Sequence, residues 1–225
     1  MKTYLPIILH SQLFSGVVQS EAERMLQCLA ARTEEYERNQ PLLRLGEAVD
    51  AVGMVLTGSV HVVQEDFWGN RNILMKVLPG ELFAETYACV PGAVSNVRVF
   101  AAEPATVLYL DVHRVLHVCA STCEFHARLV RNLLSVLAAK NLAMNEKMMH
   151  MSKRTTRDKL LSYLSAESLR RGSASFEIPY NRQQLADYLS VDRSAMSNEL
   201  GKLRDEGVLQ FDRNRFRLLQ EIDRI

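Results

Sequence analysis

The segment NRQQLADYLSVDRSAMSNELGKLRDEG, residues 181–207, decides the fold of the C-terminal part of the chain. Its apolar spacing predicts two short helices joined by a tight break at residues 190–192. Asp192 is expected to cap the second helix and Gly207 to end it, while small Ala186 lets the two helices approach closely. The residues expected to face inward are Leu185, Ala186, Leu189, Met196, Leu200 and Leu203. This is the spacing of a helix-turn-helix.

The second helix then exposes a polar face at its start, formed by Arg193, Ser194, Ser197 and Asn198. Arginine suits the O6 and N7 atoms of guanine and asparagine suits the N6 and N7 atoms of adenine, so this face is predicted to read DNA bases. Glu199 departs from the usual motif and is expected to reach solvent. The alternative is a solvated helix face, or one that contacts a protein partner.

Residues beyond the motif predict a wing. VLQF and FRLL are expected to form two short strands around the polar turn DRNR. Further DNA contacts are predicted for Arg182, Lys202 and Arg213, because basic side chains beside a reading helix can neutralise phosphates.

The N-terminal part has a different apolar period. After a helix in SEAERMLQCLAAR, with Ser20 as its expected cap, short runs rich in Val, Leu and Ile continue from Glu34 to about Leu110. These runs, among them GMVLTGSVHVV, NILMKVL, VRVFAA and TVLYLD, predict strands of a sandwich, barrel or roll.

A helix without Gly or Pro is predicted from about Glu124 to His150, followed by another helix that Ser152 is expected to cap. The long helix carries a heptad seam at Val130, Leu134, Leu137, Asn141, Met144, Met148 and Met151. A single Asn in such a seam favours a parallel pair in one register, so a homodimer is predicted. The alternative is packing of this helix within its own monomer.

The resulting fold class is α+β, with a β-roll at 1–123, a dimerisation helix at 124–151 and a winged helix-turn-helix at 152–225. The 225 residues carry a net charge of +1, which divides into −2 for residues 1–150 and +3 for the remainder. No apolar run is long enough to cross a bilayer or act as a signal peptide, so a cytoplasmic protein that does not bind membranes is expected. The four cysteines do not resemble a disulfide framework.

Almost the whole chain resembles the cyclic-AMP receptor and fumarate-nitrate regulator (Crp/Fnr) superfamily of bacterial transcription factors. The resemblance rests on MVLTGSVHVV, LPGELFAE, the long helix and RQQLADYLSVDRSAMSNELGKL. It implies a homodimer that binds a pseudo-palindromic operator in double-stranded DNA and contacts RNA polymerase. Arg193, Ser194 and Asn198 match the three principal base-reading positions of the superfamily, and Ser197 matches a fourth, although the usual residue sets are absent.

The superfamily's cyclic-nucleotide binders carry a Gly-Glu pair followed by an Arg-Ser pair, whose guanidinium meets the cyclic phosphate. Gly80 and Glu81 match the first pair, but Ser95 and Asn96 replace the second. Cyclic AMP is therefore not the predicted effector, and Arg98 is expected to point outward. An unknown small molecule is expected near Gly80, Glu81, Leu82, Phe83, Ser95, Asn96, Asn141 and Met144.

Five residues of metal-ligating type lie close together in sequence: His113, His117, Cys119, Cys123 and His126. Their spacing lacks the common Cys-x-x-Cys pair, so neither a metal nor another cofactor is predicted. A Gly-rich phosphate loop, a nucleophile elbow and an HExxH motif are also absent from the sequence, and no catalytic residue or enzymatic activity is predicted.

Overall fold

The computed structural model describes residues 2–65, 71–116 and 124–219. The chain divides into two compact units, Met1–Ala139 and Lys140–Ile225. Within the described residues, no helix combines the length and apolar character needed to cross a membrane.

The first unit is a β-roll with flanking helices. Its elements are α1 (Leu5–His10), α2 (Gln19–Cys28), β1 (Arg32–Tyr36), β2 (Pro41–Leu43), β3 (Ala51–Thr57), β4 (Val60–Glu65), β5 (Arg71–Val77), β6 (Leu82–Phe83), α3 (Glu85–Ala88), β7 (Arg98–Ala101), β8 (Ala105–Asp111), α4 (Val112–Leu116) and the first half of α5 (Glu124–Met151). Two antiparallel sheets have the orders β1-β8-β3-β6 and β2-β7-β4-β5. The predicted strands and the long helix are confirmed.

Central strands β3 and β8 are buried on both faces, which explains their nearly continuous apolar sequence. One face of their sheet supplies Val55 and Val107 to a core shared with the second sheet. The other face supplies Leu108 to a core formed with the helices, where Phe14 and Leu129 are fully buried. The β1-β8-β3-β6 sheet is thus the middle layer, between the second sheet and a helical cover.

The start of the chain differs from its sequence prediction. Helix α2 begins at Gln19, its N-cap is Val18, and the Glu21 carboxylate accepts the Val18 N–H at 3.1 Å, so Ser20 is not the cap. Helix α1, which the sequence analysis did not predict, buries Ile8 against the roll. Six residues are too few to show a clear helical period.

Helix α5 has one buried face in the first unit, formed by Leu129, Leu133 and Val136. The predicted seam is not part of this buried face, apart from Leu137, which is half-buried against the same core. Leu134, Met144 and Met148 are each more than half exposed in the single chain, although all three are apolar.

The second unit contains the end of α5 and the predicted winged helix-turn-helix. Its further elements are α6 (Thr156–Arg171), β9 (Ser175–Glu177), α7 (Arg182–Leu189), α8 (Arg193–Asp205), β10 (Leu209–Asp212) and β11 (Arg215–Leu218). The strands form one antiparallel sheet in the order β10-β11-β9. Helix α6 begins three residues later than predicted, because the Thr155 hydroxyl, and not that of Ser152, accepts the Asp158 N–H.

The last turns of α5 contact helices α6 and α7 of the winged helix-turn-helix. The His150 ring bonds the Ser162 hydroxyl at 2.8 Å, and Arg170 bonds both carboxylate oxygens of Glu146 at 2.6 Å. The Lys147 ammonium also lies over the Tyr188 ring. The last turns of α5 therefore belong to the same compact unit as α6 and α7.

Candidate functional site

Two local features, one in the backbone and one side-chain cap, position helix α8. Ser190 takes a left-handed conformation (φ 50°) that ends α7, and the Asp192 carboxylate accepts the Ala195 N–H at 2.8 Å to begin α8. Met196, Leu200 and Leu203 are then fully buried against α6 and α7. The helix is held on one face only, which leaves its other face to solvent.

The exposed face of α8 carries the residues that the sequence predicted for base reading. Arg193, Ser194, Ser197 and Asn198 are all exposed and lie within the first six residues of the helix. Serine hydroxyls and an asparagine amide can both donate and accept hydrogen bonds, whereas arginine only donates. Such a set can match the mixed donors and acceptors of base edges in a major groove.

Glu199 does not reach freely into solvent, which corrects the sequence prediction. Its carboxylate accepts from Arg157 of α6 at 3.4 Å and from Lys202 at 3.3 Å. Arg157 also bonds both carboxylate oxygens of Glu206 just beyond α8, at 3.1 and 2.5 Å. Glu199 is therefore paired with α6, and Lys202 shares this network while staying two-thirds exposed.

The other predicted DNA contacts lie beside α8. The Arg182 guanidinium stacks over Phe211 at 4.8 Å and Phe216 at 5.2 Å, which orders this arginine at the base of the wing. Burial lowers the pKa of Arg182 from its usual value. Arg213 is exposed at the tip of the wing, in a left-handed conformation (φ 51°).

In the β-roll, Gly80 and Glu81 form a turn. The Gly80 N–H donates to the Val55 carbonyl at 2.8 Å, and the Glu81 carboxylate accepts the Leu78 N–H at 2.8 Å. Glu81 is exposed, whereas the following Leu82 and Phe83 are buried in the two cores of the roll. Glu81 thus stabilises its own turn.

The positions that replace the Arg-Ser pair are also engaged locally. The buried Ser95 hydroxyl donates to the Val97 carbonyl at 2.8 Å, and the Asn96 amide oxygen accepts from the Tyr87 hydroxyl. Arg98 points outward, as predicted, and pairs with Glu65 at 2.8 Å. Asn141 and Met144, which were predicted for the same pocket, belong to the second compact unit and are exposed there.

Sequence reasoning missed the buried acid of this loop. Glu85 is only 3% exposed and follows Ala84, whose left-handed backbone (φ 64°) is one that glycine favours. Ala84 shares the positive φ of Gly80 (85°), but Glu85 is buried whereas Glu81 is exposed. The available signal was the second glutamate in LPGELFAE.

A recess at the β1 edge of the roll was also missed. It has a volume of about 160 Å³ and brings Arg32, Glu34, Tyr36 and Tyr109 together. Residues 36 and 109 are far apart in sequence, so pattern analysis alone could not pair them.

Among the described residues, no three His, Cys, Asp or Glu side chains are grouped as a metal site. His113 lies on α4, and the buried His126 ring is 3.2 Å from the Arg114 carbonyl oxygen. His117, Cys119 and Cys123 lie outside the described residues.

Comparisons with known proteins agree with this two-part architecture. The cyclic nucleotide-binding domain family matches residues 33–122, and the Crp-like helix-turn-helix domain family matches residues 158–222. The transcriptional activator protein FnrL of Cereibacter sphaeroides is 23% identical over 202 residues, which cover 84% of this chain and 77% of FnrL.

Two solved structures share the fold. The catabolite activator protein of Thermus thermophilus is 22% identical with a TM-score of 0.52, covering 92% of this chain and 93% of that one. The c-di-GMP responsive regulator CLP of Xanthomonas campestris is 18% identical with a TM-score of 0.60, covering 88% and 99% respectively.

Proposed function

Because this chain belongs to the Crp/Fnr superfamily, we propose that it is a homodimeric transcription regulator that reads a DNA operator with helix α8. The observation that carries this proposal is the exposed polar face of α8, held outward by Met196, Leu200 and Leu203. Arg193 and Asn198 are assigned to base edges, with Ser194 and Ser197 beside them. Arg182, Lys202 and Arg213 are assigned to flanking phosphates.

The apolar surface of α5 supports the dimer. Leu134, Met144 and Met148 expose more than half of their surface at the spacing of a coiled-coil seam, and pairing two copies would bury them. Asn141 lies between them and bonds the Asn145 side chain in the single chain at 3.0 Å. A symmetric pair places two copies of α8 in successive major grooves about 34 Å apart, which requires a pseudo-palindromic operator.

We infer that the β-roll responds to a molecule other than cyclic AMP. Ser95 and Asn96 offer no cation to a cyclic phosphate, and Arg98 is turned toward Glu65. A phosphate removed from water without a paired guanidinium loses its best compensation. Titration of the full chain with cyclic AMP in a calorimeter should give no heat of binding, and a micromolar dissociation constant would overturn this inference.

The regulator is expected to act in the cytoplasm and, by family resemblance, to contact RNA polymerase. An effector can control DNA binding only if it binds one arrangement of the dimer more tightly than another. Any enzymatic role would need a catalytic set that the described residues do not suggest.

Selection of DNA by the full chain from a random library tests the function directly. We expect enrichment of a two-fold symmetric sequence, and affinity for it that falls as salt rises. Failure to enrich any sequence, together with the absence of salt-dependent DNA binding, would favour the alternative that the α8 face contacts a protein partner.

A further inference from the structure

We propose that the recess at the β1 edge of the roll binds a small organic cation, a protonated amine with a compact apolar body. The proposal goes beyond DNA recognition. Gly80, Glu81, Ser95 and Asn96 do not line this recess, and of the positions first predicted for an effector it includes only Phe83.

The recess has the size and the floor for such a molecule. Its volume of about 160 Å³ is close to that of an apolar cavity that holds one benzene ring. Leu43, Val49 and Phe83 supply apolar lining, and Phe83 meets Tyr109 edge to face with the ring centroids 6.3 Å apart. An apolar body about the size of one benzene ring fits this space.

A chain of hydrogen bonds orders the polar wall. The Tyr36 hydroxyl donates to the Glu34 carboxylate at 2.6 Å, because a carboxylate can only accept. The Tyr109 hydroxyl, 2.8 Å from that of Tyr36, must then be the donor of their shared bond. The lone pairs of the Tyr109 oxygen can therefore accept a hydrogen bond from an ammonium group.

The strand geometry explains why these groups meet. Arg32, Glu34 and Tyr36 alternate along β1 and so share one face, while Arg32 lies directly opposite Tyr109 on β8. The Arg32 guanidinium lies 5.0 Å from the centre of the Tyr109 ring and bonds Glu34 at 3.1 Å. Residues at positions 33 and 35 point to the other face.

Charge decides the class of ligand. The residues that line the recess include three acids, Glu34, Glu47 and Asp50, and one arginine, Arg32, so their formal charges sum to −2. The Glu47 carboxylate also accepts the Arg44 N–H at 2.8 Å. The hydrogen bond from Tyr36 is the main cause that lowers the pKa of Glu34, so this carboxylate stays ionised at neutral pH. Aromatic rings beside a carboxylate favour a cation and disfavour an anion.

The test uses three probes that share a benzene ring and are similar in size: benzylamine, benzyl alcohol and benzoate, titrated separately into the full chain by calorimetry at neutral pH. We expect benzylamine to bind at least fivefold more tightly than benzyl alcohol, and benzoate to bind weakest. Glu34→Gln should weaken benzylamine about fivefold, as expected for loss of one partly exposed ion pair. Glu35→Gln, which removes the same charge from the opposite face of β1, is the matched control and should change nothing.

Tighter binding of benzoate than of benzylamine would overturn the proposal. So would equal effects of Glu34→Gln and Glu35→Gln, or no binding of benzylamine at 10 mM, a concentration of about the order at which very weak ligands still register. Thermal unfolding of each variant verifies that it is folded. Because no DNA is present in this test, its failure would leave the proposed regulator function unaffected.

Discussion

Replacing Met144 of the α5 seam by glutamate should separate the dimer. The side chain is 65% exposed in the single chain, so a partner helix would cover about two-thirds of it. Full burial of a methionine contributes about 1.5–3 kcal/mol, which makes this share about 1–2 kcal/mol per protomer and about 2–4 kcal/mol per dimer. The dimer dissociation constant should therefore rise by about 30-fold to 1,000-fold, before any repulsion between the two new carboxylates.

Sedimentation velocity over a range of concentrations measures this constant. Ala139→Glu is the control, because Ala139 is exposed on the same helix but lies outside the seam. It should leave the dimer intact. If Met144→Glu dissociates no more than Ala139→Glu, or if the unaltered chain sediments as a monomer at micromolar concentration, the assigned interface is wrong.

Three further predictions concern stability. Asp192→Ala removes the cap bond to the Ala195 N–H and should lower the unfolding free energy of the second unit by about 1 kcal/mol in urea titrations. An unchanged unfolding free energy would show that Asp192 does not stabilise α8 as a cap. Gly53→Ala places a Cβ 2.3 Å from the buried Phe83 ring, which should cost about 1–3 kcal/mol; unchanged thermal stability would show that the ring can move aside freely. Burial lowers the pKa of His150 below its usual 6.5, so folding favours its neutral form, and its contribution to stability should fall as pH drops below about 6.5. His150→Phe should weaken this pH dependence between pH 7.5 and 5.5, and an unchanged slope would contradict the role of this ring.

The helix-turn-helix could be predicted in detail because its information is local. Asp192 caps the helix that follows it, and the inward residues of α8 recur at helical spacing within one segment. The same is true of α5, whose uninterrupted run without Gly or Pro matches the structure closely. In such segments each residue mainly reports on neighbours within four positions.

Features that depend on distant residues were not predictable in the same way. Glu199 was expected to be solvated, but its partner Arg157 lies 42 positions earlier on α6. Likewise, the recess pairs β1 with β8, whose shared tyrosine contact spans 73 positions. Two helix starts were predicted wrongly because Ser20 and Ser152 were chosen as caps by residue type. The observed N-caps are Val18 and Thr155.

Base reading by α8 is tested most directly by Arg193→Ala, compared with Arg204→Ala. The two arginines lie on one helix about 16 Å apart along its axis, and both changes remove one positive charge. Affinities for the selected operator and for unrelated DNA are measured by fluorescence anisotropy at fixed salt. Arg193→Ala should cost the operator about 1–3 kcal/mol while leaving unrelated DNA nearly unchanged, and Arg204→Ala should not alter the ratio of the two affinities. An equal loss on both DNAs for Arg193→Ala would make this residue a phosphate contact and contradict its assignment to a base.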